Sequence, residues 1–538
     1  MHELLLNDDI LLPIVELLNI PEGPRPTLVA FSEVCRGWNE LASVFLWSHL
    51  STMRPLWGLL VSKDFTPRLG QQMSDFWQST DAKETVNSIV QNDPDHWRRF
   101  LELASHVREA MHMANDTWEL NLIRTVSRYN GNKTFLPSLR RLTWRHHLSF
   151  DATLLCLCSP TLTSLDIIIS MNNLLDVSEP GPSLETTMDG LSEAAPSLYR
   201  LTISGTARQT STTVLNLSRL SNLQELCLTN RTFALDPSHM RAILEGITGI
   251  TVLTARVIAF DIPNLPQINA PSSLKHICIL PSHARDILPL IASFIHPPAL
   301  TALDVHAEDQ TYDHRSVELV EAIAAASFAP NLRALSVVLA SDYDPSPSTA
   351  GGGSALPSFS EAIMPLLALH ALEEVLVRIE NRVVAVGDAD LRELATAWPR
   401  LTSIALMWPP VGPRAQPPVA ALHHFATHCP MLRKMSVTKL AVGRIRQGQI
   451  LVGKETAMTE QPKGSHPLET LKVRFVSGHE EDGSEVARFV HRLFPSLVIS
   501  EDDGHANRRV SFVPWRSEET NLRWRTVEQE ILLYSDKI

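Results

Sequence analysis

One short pattern of apolar positions returns along most of this chain: a turn residue, then Leu-x-x-Leu-x-apolar. It reads PSLRRLTW from Pro137, PTLTSLDI from Pro160, PSLYRLTI from Pro196, SNLQELCL from Ser221 and TGITVLTA from Thr248. It continues as SSLKHICI from Ser272, PALTALDV from Pro298, PNLRALSV from Pro330 and HALEEVLV from His370. PRLTSIAL from Pro399, PMLRKMSV from Pro430 and PLETLKV from Pro467 follow; SHVREAMH from Ser105 reads as a degenerate first copy and PSLVIS from Pro495 as a truncated last one. In LTSLDII, Leu165 and Ile167 stand two apart and share one face of a strand, while Asp166 faces the other way. Leu162 enters the same interior from the turn before. Such a unit cannot bury its apolar face alone, so like units must stack into a parallel sheet over one continuous core.

Between the strands the period changes to that of a helix. DPSHMRAILEGITG opens on Asp236 as a cap, places Pro237 in the first turn, and spaces Met240, Ile243, Leu244 and Ile247 along one face. DHRSVELVEAIAAASFAP, DADLRELATAWP, VAALHHFATHCP and SEVARFVHRLFP follow the same plan, each closed by a proline. Three stretches interrupt the rhythm: Ser/Gly/Pro-rich 341–358, Pro-rich 408–419 and polar 443–467.

Strand and helix alternating at these intervals resemble an irregular leucine-rich repeat, over roughly residues 100 to 500. The resemblance implies an α/β solenoid with its parallel sheet on the concave face and helices on the convex face. The family's Asn or Cys ladder position is held here by Ser170, Thr206, Arg231, Ser282 and Ala340, so that side-chain ladder is missing. The competing fold is a doubly wound α/β domain, with fewer strands and Gly-rich turns.

Residues 1–50 read differently, as two helix-like runs without a strand pattern. NDDILLPIVELL has Asn7 as a cap candidate and acidic residues in its first turn; Ile10, Ile14, Leu17 and Leu18 lie near one face, flanked by Leu11 and Val15. Pro13 either kinks this helix or divides it. The second run is TLVAFSEVCRGWNELASVFLWSHL. Together they resemble an F-box: Val34, Cys35, Arg36 and Trp38 match its Val-Cys-(Arg/Lys)-x-Trp centre, and Leu46 with Trp47 its closing Leu-Trp. Asn7 departs from the family's Pro, Ile14-Val15 from its Ile-Phe, and Pro13 is an addition.

That resemblance implies a partner, the adaptor subunit of SCF-type cullin-RING ubiquitin ligases. By it, Leu6, Ile10, Ile14, Val15, Leu18, Val34, Cys35, Trp38, Leu46 and Trp47 supply the interface and the core behind it. So small a module also buries too little surface to stand alone. The other reading of these residues is a plain cap on the first repeat, although a cap presents a polar outer face. The expected organisation is an F-box-like module at 1–50, a helical linker at 51–95, repeats at 96–500 and a tail at 501–538 that can form a capping helix.

Composition narrows the functional classes. The chain has 538 residues, 44% hydrophobic, with a formal net charge of −12, which opposes general affinity for nucleic acid. Six cysteines are too few for a disulfide scaffold; Cys35, Cys156 and Cys158 read as buried thiols. No apolar run reaches the ~20 residues of a membrane span. Asp8, Asp9 and Glu16 do not fit a secretory signal, so a cytoplasmic or nuclear location is expected.

No phosphate loop, nucleophile elbow or metalloprotease helix occurs. His424, His428 and Cys429 lack a suitably spaced fourth metal ligand. No catalytic residue, metal site or cofactor is expected. Between the inward leucines, Arg145, Asp166, Arg200, Glu225, Arg256, Asp304, His306, Arg378, Lys434, Lys472 and Arg474 face outward. Arg378, Lys434, Lys472 and Arg474 make the C-terminal part basic, suited to an acidic or phosphorylated target segment. The expectation is a non-catalytic substrate receptor of a ubiquitin ligase; a repeat scaffold that recruits no ligase is the alternative.

Overall fold

The computed structural model describes residues 8–18, 26–60, 82–114, 117–146, 152–169, 184–205, 217–229, 234–258, 267–295, 299–309, 315–341, 359–380, 384–409, 416–441, 445–446, 449–450, 466–477 and 483–497. The tail 501–538, the end of the partial copy at 498–500, and residues 342–358, 410–415 and 451–465 of the interrupting stretches lie outside the described residues. Contacts divide the chain into Met1–Arg256 and Val257–Ile538.

In the first unit every Leu-x-x-Leu-x-apolar copy becomes a strand. β1 (His49–Leu50), β2 (Glu109–Ala114), β3 (Arg141–His146), β4 (Ser164–Ile169), β5 (Arg200–Gly205), β6 (Glu225–Leu228) and β8 (Val252–Val257) lie side by side, with two-residue β7 (Ala234–Leu235) beside β8. Their pairing is parallel and in register, so Leu142, Leu165, Leu201, Leu226 and Leu253 form one buried row. Ile167, Ile203 and Leu228 form the next.

The second unit repeats the plan. β10 (His276–His283), β12 (Ala302–Asp309), β13 (Ala334–Ser341), β14 (Glu374–Ile379), β15 (Ser403–Met407), β16 (Lys434–Ala441) and β19 (Thr470–Ser477) pair in that order, all parallel. Short β9 (Ile268–Asn269) pairs with β11 (Phe294–Ile295), and β17 (Ile445–Arg446) with β18 (Gln449–Ile450). In both units strands follow chain order, which is the order of a repeat and not of a doubly wound sheet. Each unit has the fold of an α/β leucine-rich-repeat solenoid. Its helical returns form where the period predicts: Asp236 caps helix Pro237–Gly246 by accepting the His239 N–H at 2.8 Å, and Met240, Ile243, Leu244 and Ile247 are buried.

The missing side-chain ladder is replaced by backbone. The Arg140 carbonyl accepts two N–H groups from the next repeat, Thr163 at 2.8 Å and Ser164 at 2.9 Å. Thr163 then serves Tyr199 and Arg200, and Tyr199 serves Gln224 and Glu225. In the second unit Lys275, Thr301, Arg333, Glu373, Thr402 and Arg433 each take the same two bonds. Threonine hydroxyls add a third at Arg140, Gln224 and Glu373, at 2.9, 3.0 and 3.0 Å. The strand entrances are therefore tied by groups every residue owns, and the register needs no special side chain there.

At the strand exits, buried hydroxyls do part of what asparagine would. Thr438 accepts the buried Trp408 N–H at 3.0 Å, and Ser282 accepts that of Val257 at 3.0 Å. At β5's end Gly205 has φ +114, and a Cβ there would stand 1.7 Å from the Ile169 carbonyl oxygen, so only glycine fits. In the last described repeat, buried His466 donates from Nε2 to the Cys429 carbonyl at 3.0 Å and accepts the Leu468 N–H on Nδ1. Its ring meets Phe494 edge-on at 5.0 Å. Burial holds its pKa below the ordinary value of 6.5, partly opposed by the bond to Cys429.

Two outcomes follow. Thr438→Val leaves the Trp408 N–H buried without an acceptor and should cost about 1–3 kcal/mol in urea unfolding followed by tryptophan fluorescence; Thr438→Ser should keep most of it. At His466 the unfolded chain binds a proton more readily than the folded one. Its contribution is therefore full above pH 6.5 and lost as pH falls below it. The melting temperature should drop on acidification through that range, and less steeply in His466→Asn.

Candidate protein-interaction surfaces

The N-terminal module has three helices where the sequence suggests two runs: α1 (Asp8–Leu18), α2 (Pro26–Ser32) and α3 (Arg36–Ser48). The second run breaks at Glu33–Val34. The Asn39 side-chain amide takes the freed Ser32 carbonyl at 3.0 Å, and the turn lets Trp38 stack on Phe31 at 4.2 Å. α1 continues through Pro13, so Pro13 neither divides it nor ends it.

The module's core is Leu11, Val15, Leu28, Phe31 and Ala42, with Leu18, Trp38, Leu41, Phe45 and Leu46 packed against it. The inward stripe of α1 is thus Leu11, Val15 and Leu18, at i, i+4 and i+7, and not the stripe through Ile14. Leu12 and Ile14 leave this stripe on opposite sides, 42% and 41% exposed. Val29 on α2 and Val34 in the following turn are 47% and 52% exposed. Among the expected adaptor-binding residues, Val15, Leu18, Trp38 and Leu46 serve the core, Ile14 and Val34 stand outside, and Trp47 is half-buried. Leu6 lies outside the described residues, and Ile10 is placed in α1 by its backbone alone. Leu12 and Val29 are not among the sequence candidates; their sequence signal is an apolar side chain at a helix position off the core stripe.

α3 runs straight into β1, a strand the sequence pattern does not announce. The Ser48 carbonyl accepts the Arg108 N–H at 2.9 Å, and His49 and Leu50 pair with Glu109 and Ala110 of β2. The Glu109 carboxylate also meets His49 and Arg141. Behind these strands Trp57, Phe100 and Phe135 pack together, and the buried Trp57 indole N–H donates to Glu119 at 2.7 Å. The helical module is thereby hydrogen-bonded into the first repeats.

Cysteine chemistry is quiet. Cys158 and Cys429 are buried, and burial pushes both thiols up to about 12, far from thiolate at neutral pH. Cys35 and Cys156 are half-buried, more open than their apolar surroundings suggest; Cys35 sits at the N-terminal boundary of α3, in extended backbone. His424 is engaged by Asp388 at 3.0 Å, and His428 is exposed.

The outward face of the second unit differs from the expected basic patch. Arg378 is ion-paired with Glu380 and mostly covered, so it is a neutralised pair. Lys434 and Lys472 are exposed on β16 and β19, and Arg474 lies two residues further along β19. On the strands between, half-buried Val338, Leu376, Ala405 and Met407 share the outward face with exposed Glu374 and the Arg378–Glu380 pair.

Lys439 joins the face for a reason the alternation hides. Counting by twos from Met435 and Val437 turns Lys439 inward. Val437 and Thr438 are both buried, however, and this irregularity shifts the alternation so that Lys439 is half-exposed and Leu440 buried. Burial lowers the Lys439 pKa from its ordinary value. On β12, His306 is also lowered, first by burial, with Glu308 and Glu380 opposing.

Among the described residues, no helix is long and apolar enough to cross a membrane. No protein-family model matches the chain, and no curated protein sequence matches it. Among solved structures it is similar to an internalin, InlF, from Listeria monocytogenes, at 14% identity and TM-score 0.32, over 63% of this chain and 82% of that one. It is similar to the leucine-rich-repeat-containing protein LegL7 from Legionella pneumophila, at 11% identity and TM-score 0.35, over 66% and 99%. It is also similar to a chain of the Rad7–Elc1 complex of yeast, at 14% identity and TM-score 0.37, over 82% and 97%.

The division of the module into core and exterior predicts opposite outcomes for neighbouring residues. Leu11→Ala should lower stability by about 3 kcal/mol, whereas Ile14→Ala should change it by no more than about 0.5 kcal/mol, both measured by denaturant unfolding.

Proposed function

We propose that this chain is the substrate-recognition subunit of an SCF-type cullin-RING ubiquitin ligase. Its N-terminal module docks the adaptor, and the open sheet face of its second unit holds the target. The chain itself carries no bond-making step in this reading; ubiquitin transfer belongs to other subunits. The observation that carries the reading is the surplus of apolar side chains on the module. Leu11, Val15 and Leu18 already satisfy the core, yet Leu12 and Ile14 extend the apolar arc of α1 to either side, and Val29 and Val34 stay exposed. A helix apolar around so much of its circumference is stable in water when something covers it. Covering the exposed half of each of these four side chains contributes roughly 1 kcal/mol apiece.

The motif residues supply the frame. Trp38 stacked on Phe31 fixes the angle between α2 and α3, and the direct run of α3 into β1 hands that geometry to the repeats. A docked adaptor would thus hold the first repeats through backbone bonds, without a loose tether between them.

The test is co-purification of the full chain with the adaptor subunit. Wild type should carry the adaptor along. Ile14→Asp and Val34→Asp, which alter exposed positions, should fold and lose it. A folded wild-type chain that retains no adaptor rules out the ligase reading and leaves a repeat scaffold.

A further inference from the structure

The last four carbonyls of an α-helix have no acceptor role inside the helix, so the following turn has to supply their donors. At the end of α2 three of the four are met locally. The Val29 carbonyl accepts the Ser32 hydroxyl at 2.6 Å, that of Ala30 the Glu33 N–H at 3.2 Å, and that of Phe31 the Val34 N–H at 3.3 Å. The fourth, on Ser32, is met from the next helix, by the side-chain amide of Asn39 at 3.0 Å. One turn further along α3 the Ser43 hydroxyl donates to Asn39 Oδ1 at 3.4 Å. Both ends of the amide are therefore held, and its NH2 group is aimed at Ser32.

Two side-chain contacts close this turn, Phe31 on Trp38 and Ser32 with Asn39. They constrain it differently. Stacked rings 16° from parallel can slide over one another, whereas a hydrogen bond is directional and removes that freedom. Between the two closures stands Val34, 52% exposed and outside the module's core.

We infer that Asn39 is a positioning residue for the module's partner surface: by holding the Ser32 carbonyl, its amide sets where Val34 stands. The inference deepens the adaptor-docking reading of the module and rests on it. Asn39 is half-buried and acts through Val34. Without the amide, Leu11, Val15, Leu28 and Phe31 keep their packing, while the turn is free to slide about the ring stack. Asn39→Asp separates the two roles. It keeps the size of the side chain and the bond from Ser43, but sets an oxygen against the Ser32 carbonyl. Its new charge lies near the start of α3 and three residues after Arg36, where helix dipole and neighbour both favour it, so the helix itself is not weakened.

Isothermal titration calorimetry of the full-length chain with purified SCF adaptor tests this. It is run well below the unfolding midpoint of each variant, read by circular dichroism. Asn39→Ala and Asn39→Asp should each weaken adaptor binding roughly tenfold. Asn39→Gln, which keeps the donor on a longer arm, should recover part of the loss. Val34→Ala should weaken binding several-fold, and adding Asn39→Ala to it should weaken binding no further, because the amide acts through that side chain. Unchanged affinity in the Asn39 variants, or losses at Asn39 and Val34 that simply add, overturns the inference and leaves the docking reading standing. A folded wild-type chain that binds no adaptor overturns that reading, and the inference with it.

Discussion

Within each unit, one carbonyl per repeat, accepting two N–H groups from the repeat that follows, is the constraint on which the rest of the fold depends. It fixes where each strand begins relative to the last. Once that is set, Leu165 must lie beside Leu201 and Leu201 beside Leu226, and the buried rows follow. Because backbone makes the bond, turn residues are free to vary: Arg140, Tyr199, Lys275 and Glu373 all serve as acceptors. This explains how an irregular repeat, without the Asn or Cys ladder of the regular form, keeps its strands in register. It also explains the loose spacing, since the returns between strands need only deliver the chain to the next carbonyl.

The fold was legible wherever one period dominated. Leu-x-x-Leu-x-apolar located every main strand from β2 onward, and Asp236 located its helix end. Three features were hidden, each for a physical reason. β1 is two residues long and sits at the end of a helix, so no alternation marks it. The break between α2 and α3 depends on Asn39 reaching back to Ser32, a contact that apolar spacing cannot reveal. The exposure of Lys439 depends on an irregularity at Thr438, whose hydroxyl is drawn inward by the Trp408 N–H.

The candidate surfaces were legible in kind more than in detail. Sequence identified a module with more apolar bulk than its core uses but could not divide the residues between roles. In the structure Val15, Leu18, Trp38 and Leu46 turn inward, Ile14 and Val34 turn out, and Leu12 and Val29 join them. Charge counting likewise identified a basic end of the sheet but missed that Arg378 is neutralised in place. The apolar residues beside the lysines carried no charge to draw notice, although the same repeat pattern fixes them as outward-facing.

The central claim is that the exposed apolar residues of the helical module serve a second chain. Hydrogen–deuterium exchange of the full-length protein, with and without purified SCF adaptor, measures this most directly. The account predicts added protection within residues 8–48, with the later strands of the second unit unchanged. Adaptor present in excess with no change in exchange across 8–48 would contradict it.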